Sequence, residues 1–98
     1  MSSYFIVNIY INQPEKRKYY DEYLEKVKPI VESYGGEYLI RTEELTASSQ
    51  EWKPDRIIVI RFPDRKHLDD CFSSKEYCQI KDLRISSVES RVIIVDGV

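Results

Sequence analysis

Residues Tyr4 to Ile11 alternate, with Phe5, Val7, Ile9 and Ile11 on one face and Tyr4, Ile6, Asn8 and Tyr10 on the other. This period of two predicts a strand, and one that is largely apolar on both sides. The period then changes. After Asn12-Gln13-Pro14, apolar side chains at Tyr20, Tyr23, Leu24, Val27, Ile30, Val31 and Tyr34 recur three and four apart, the stripe of an amphipathic helix. Asn12 is the expected N-cap, Pro14 suits a first turn whose N–H has no intrahelical partner, and Gly35 supplies the left-handed residue at the end. Pro29 falls inside the stripe, where it removes the hydrogen bond to the Glu25 carbonyl and predicts a kink.

Glu37 to Glu43 alternates Tyr38, Ile40 and Thr42 with Leu39, Arg41 and Glu43, a second strand. Arg56 to Phe62 holds Ile57, Ile58, Val59 and Ile60 consecutively, as a strand buried on both sides would. Between them Glu44 to Asp55 is polar apart from residues such as Trp52, and a loop this long in a small domain is expected to be functional or mobile. Pro63-Asp64 stops the third strand and caps a short helix bearing Leu68, Cys71 and Phe72. Ser73 and Glu76 have capping-box spacing, so a second helical segment is expected with Tyr77, Ile80, Leu83 and Ser87 on its apolar stripe. Arg91 to Val95 is the last strand, ended by Asp96-Gly97.

The order βαββαβ over residues 1–98 predicts one α+β domain of ferredoxin-like type. Right-handed crossovers then place the helices on one face of a four-stranded antiparallel sheet. The other face is left bare, yet Tyr4, Ile6 and Tyr10 and the apolar third strand point to it. The economical cover is a second copy, giving a homodimer through the sheet face with a shared barrel-like core. An RNA-binding sheet of the same order would carry stacking rings on the third strand, where Arg56-Ile57-Ile58-Val59-Ile60-Arg61 is aliphatic.

Charge narrows the partners further. Fifteen basic and seventeen acidic residues leave a net charge of -2, with a pI near 5.4, so nothing in the overall field attracts nucleic acid or an anionic membrane. Met1-Ser2-Ser3 leads into the first strand without a basic leader, and no apolar run approaches the roughly 18 residues of a membrane span, so a cytoplasmic location is expected. Cys71 and Cys78 are expected to be small buried hydrophobes without a disulfide, and His67, the only histidine, a solvated surface residue. No nucleophile pattern, HExxH, paired histidines or phosphate-cradling glycine loop is present, so neither a metal nor an organic cofactor is expected.

Several groups together resemble the domain-of-unknown-function 1330 family (DUF1330) of the dimeric α/β-barrel superfamily. They are Tyr20-Asp21-Glu22-Tyr23, Pro29, the passage Tyr34-Gly35-Gly36-Glu37-Tyr38-Leu39-Ile40-Arg41, Pro54 with Arg56, Phe62-Pro63, Ser74 with Glu76-Tyr77, Arg84, and Val95-Asp96-Gly97. The resemblance implies a ferredoxin-like dimer with no established reaction. Superfamily relatives include cofactor-independent monooxygenases, haem-degrading enzymes and small isomerases. The chain departs from the pattern at Arg61, where an acid is usual, at Cys71, usually aromatic, and at Lys75, usually proline.

Four residues are candidate ligand contacts. Asn8 places an amide on an apolar-aromatic face, and Arg41 can fork onto a carboxylate. Tyr77 and Arg84, seven apart, share one helical face. Cross-strand hydrogen bonds, ion pairs and core packing are the structural alternatives for each. Two functions remain: a small-molecule-binding dimer, with or without cofactor-independent catalysis on an anionic or aromatic compound, under the Glu44 to Asp55 lid; or a non-catalytic structural or regulatory dimer.

Overall fold

In the computed structural model, which describes residues 1–98, the strands β1 (Ser2–Tyr10), β2 (Glu37–Thr42), β3 (Arg56–Phe62) and β4 (Glu89–Gly97) form one antiparallel sheet. Their order is β2-β3-β1-β4. Helix α1 (Arg17–Ser33) connects β1 to β2, and three short helices, α2 (Arg65–Ser73), α3 (Lys75–Cys78) and α4 (Lys81–Ile85), connect β3 to β4. The ferredoxin-like order and the α+β class agree with the alternation read from the chain.

The registers Phe5↔Ile60, Val7↔Ile58 and Ile9↔Arg56 put those residues on the helix-covered face. Tyr20, Val31, Phe62, Leu68 and Cys71 have essentially no exposed surface there. Each large apolar side chain buried in this layer contributes about 2 kcal/mol. Burial also pushes the Cys71 thiol up to about 12, so it packs as an apolar group. Cys78 is exposed, against the expectation that both cysteines would be buried, because α3 turns it outward.

The two ends of α1 differ from each other in how well they were foreseen. Gly35, at φ +83°, closes the helix in a Schellman arrangement: its N–H donates to Glu32 O at 3.1 Å and the Gly36 N–H to Val31 O at 2.9 Å. Gly36 has no room for a side chain, since a Cβ would lie 2.4 Å from Val31 Cγ1 and 2.9 Å from Val31 O. At the other end Asn12 is not the cap. A 3₁₀ turn at Pro14–Lys16 begins from Gln13, with Lys16 N–H donating to Gln13 O at 2.9 Å. Asn12 instead reaches across to the Glu89 carboxylate at 3.4 Å.

In the second helical layer Asp64 caps α2, accepting the His67 N–H at 2.8 Å. The next cap is Ser74 and not Ser73. Ser74 is the residue with extended backbone, and its Oγ accepts the Tyr77 N–H at 3.1 Å, whereas Ser73 is still helical and donates to Asp69 O at 2.7 Å. The segment then breaks again at Gln79-Ile80 into α4.

Strand β2 does not keep strict alternation. Tyr38 pairs with Ile60, Ile40 with Val59 and Arg41 with Ile58, so Leu39 is an extra, bulged residue. Tyr38 and Arg41 therefore share the helix-covered face, and Ile40 turns away from it. The expected grouping of Tyr38 with Ile40 is corrected by that bulge.

The opposite face carries Tyr4, Ile6, Ile57, Val59, Ile93 and Val95 in register, uncovered by any helix. Ile93 is 61% exposed and Ile40 43%. The edge strand β4 is also open on its other side, at Val92 and Ile94. Arg61, where an acid was the pattern, pairs with its cross-strand neighbour Glu37 at 2.7 Å on this face. No helix is long and apolar enough to cross a membrane.

Candidate functional site

Between α1 and the covered face of the sheet lies an apolar cleft. Its walls include Phe5 and Val7 of β1, Ile58 and Ile60 of β3 and Val27 of α1, with Phe72 of α2 beside them. Phe72 packs its ring against Phe5 at 4.2 Å and edge-on to Tyr77 at 5.0 Å. The enclosed volume is only about 20 Å³. That holds a water and not a ring while the lining side chains stay where they are.

Arg84 is the single charged residue among the twelve that line the cleft. Its Nη2 donates to the Tyr77 hydroxyl at 3.2 Å, and Tyr77 shares a hydrogen bond of 3.0 Å with the Tyr23 hydroxyl. The guanidinium also lies 5.9 Å from the Tyr23 ring centre. Burial, followed by the neighbouring Tyr77, drives the Tyr23 hydroxyl far above the ordinary tyrosine range. It stays protonated and so keeps a hydrogen to donate. The seven-residue spacing of Tyr77 and Arg84 thus brings both to one point even though a break separates α3 from α4.

Arg41 reaches the same buried layer from the far side of α1. The bulge at Leu39 aims it inward, where Nη2 donates to Leu24 O at 3.1 Å and the guanidinium stacks over Tyr38 at 5.1 Å. Its Nε is buried without a partner. Asn8 does not join these residues. It sits on the opposite face, where its Oδ1 accepts the Trp52 Nε1–H at 3.1 Å. The loop between β2 and β3 folds back over the open face there and encloses about 260 Å³, lined by Asn8, Trp52, Ile57 and the Thr46-Ala47-Ser48-Ser49 run. This hollow is wider than the cleft but half open and without a charged residue.

Arg56 was not among the candidate ligand contacts. It is 9% exposed, faces α1, and touches Glu43 at only 3.4 Å. Glu43 is already held by Arg17 through two bonds of 2.7 and 2.6 Å, which keep its carboxyl below the ordinary value of 4.5. A signal was present: Arg56 occupies the even-numbered face of β3, otherwise Ile58, Ile60 and Phe62. His67 lies outside the cleft, exposed and bonded to Asp64 at 2.7 Å. No cluster of three or more His, Cys, Asp or Glu side chains is placed to hold a metal ion.

Sheet, helices and cleft define a ferredoxin-like α+β protein with a buried apolar pocket and a cationic end. The chain belongs to the family described as a domain of unknown function (DUF1330), whose model matches residues 2–98. Among curated proteins none matches its sequence. It is similar in fold to a dimeric ferredoxin-like protein of unknown function from Jannaschia sp. CCS1, with a TM-score of 0.83 at 10% identity over 99% of this chain and 100% of that one. RPA0582 from Rhodopseudomonas palustris, also of unknown function, superposes with a TM-score of 0.79 at 17% identity, covering 99% of this chain and 82% of that one. SnoaB, a cofactor-independent oxygenase from Streptomyces nogalater, gives 0.70 at 5% identity over 99% and 93%. At these identities the likeness is one of fold.

Proposed function

We propose that the protein is a homodimer, assembled through its open sheet face, that binds a small aromatic compound in the cleft beneath α1. The observation that carries the binding reading is the Arg84–Tyr77–Tyr23 chain, a charged and hydrogen-bonding tip inside walls that are otherwise apolar. Binding sites have this composition: apolar surface for affinity and a few convergent polar groups for orientation. The dimeric Jannaschia protein supports the assembly, and the cofactor-independent oxygenase shows that this fold can serve small-molecule chemistry. The apolar rows of β1, β3 and β4 on the open face point the same way.

A thermal-shift screen against phenols and small aromatic carbonyl compounds tests the binding site. A compound that binds only the folded chain raises the melting temperature. The expected result is a shift with a subset of compounds that disappears in Arg84→Met. Shifts that persist in that variant would move the site elsewhere, and no shift with any compound would defeat the reading.

A further inference from the structure

Four buried side-chain polar atoms have no hydrogen-bond partner: Tyr20 Oη, Arg41 Nε, Arg56 Nε and Ser90 Oγ. The strand registers show that they are not scattered. Arg56, Ile9 and Ser90 form one row across β3, β1 and β4, and Arg41, Ile58 and Val7 form the row beside it, all on the face covered by the helices. Tyr20 descends onto that face from the first turns of α1 and itself lines the cleft. Burial pushes its hydroxyl up to about 12 against the pull of Arg56, Arg84 and Arg41, so all three guanidiniums lie within electrostatic reach of it.

The charges there do not balance. Arginine keeps its charge, and Glu43 is shared between Arg56 at 3.4 Å and the bidentate bond from Arg17, while Arg41 has only the Leu24 carbonyl and the Tyr38 ring as partners. Buried charges are paired, and buried donors are hydrogen-bonded, because leaving them otherwise costs more than most single contacts return. We infer that Arg56, Arg41 and the Tyr20 hydroxyl form a receiving site for the carboxylate of an organic acid whose apolar body occupies the cleft. This rests on the cleft reading above and extends it by naming the ligand's charged end. A planar guanidinium suits a carboxylate, which accepts two parallel N–H bonds and leaves an oxygen for the phenolic O–H.

The test pairs acids with neutral analogues of the same shape: benzoate, phenylacetate and 3-phenylpropionate against their primary amides, titrated into the full chain by calorimetry and thermal shift. The acids are expected to bind roughly tenfold or more tightly than the amides, the scale of a hydrogen bond to a charged group. Arg56→Met is expected to bring the acids down to the level of the amides, with circular dichroism of the free protein checking that the variant folds. Tyr20→Phe provides the second variant should the first not fold; it weakens only the acids and leaves the free protein's melting temperature unchanged. Equal binding of acids and amides would overturn the carboxylate site while leaving the cleft in place. Phenol shifts without any acid binding would do the same, and so would an Arg56→Met protein that binds the acids as before.

Discussion

The two faces of one sheet are built in opposite senses. The face under the helices, where apolar side chains alone would suffice, carries Arg41 and Arg56 and leaves polar atoms unpartnered. The face without helices, where polar residues would suffice, carries Ile6, Val59, Ile93 and Val95. Strand β3 shows both within seven residues: Arg56, Ile58, Ile60 and Phe62 point one way, Ile57, Val59 and Arg61 the other. Folding stability alone explains neither arrangement. We read the incomplete shell around the buried arginines as a mark of the proposed ligand site, and the exposed apolar row as a mark of the proposed dimer.

The largest effect should come from emptying the covered face. Phe62 has no exposed surface, and Phe62→Ala is expected to cost about 3–5 kcal/mol in urea unfolding. A loss well under 1 kcal/mol would mean that this face is less tightly packed than its burial indicates. On the open face the consequence should be different in kind. Ile93→Lys places a charge at a position 61% exposed, so the protomer should keep its circular dichroism while the assembly dissociates. Loss of fold in that variant would erase the distinction between the faces.

Smaller effects sharpen the comparison within the cleft. Tyr77→Phe removes the hydroxyl that joins Tyr23 to Arg84 and strands both, a cost of about 1–2 kcal/mol in the same measurement. No change would show that the pair is hydrated rather than buried. The smallest effect concerns acid. The Glu43 carboxyl has its pKa lowered by Arg17, so its contribution is complete above the ordinary value of 4.5 and is lost as pH falls through the folded value. Glu43→Gln should therefore lose slightly less stability than the parent between pH 7 and pH 3; an identical pH dependence would separate Glu43 from that transition.

Much of this was legible along the chain because local rules and tertiary context agree. The alternation over Tyr4 to Ile11, the apolar run within Arg56 to Phe62, the Asp64 cap and the left-handed Gly35 all depend on near neighbours. Two serines in succession obscured the cap, since only backbone conformation tells Ser74 from Ser73. The bulge at Leu39 was hidden because Leu39 and Ile40 are both apolar, and a slipped register leaves no mark on such a pair. That slip decides where Arg41 points. Arg56 was not chosen as a ligand contact because a charged residue opening a strand reads as a boundary, although it shares its face with Ile58, Ile60 and Phe62. The Trp52 to Asn8 contact joins residues far apart in sequence, and no spacing rule foretells it.

The open face is the claim on which the comparison turns, and the mass of the protein in solution tests it most directly. Light scattering across the micromolar range should give twice the 11.7 kDa of one chain, falling to a single chain in Ile93→Lys. A parent protein that stays at 11.7 kDa throughout would contradict the account of the open face.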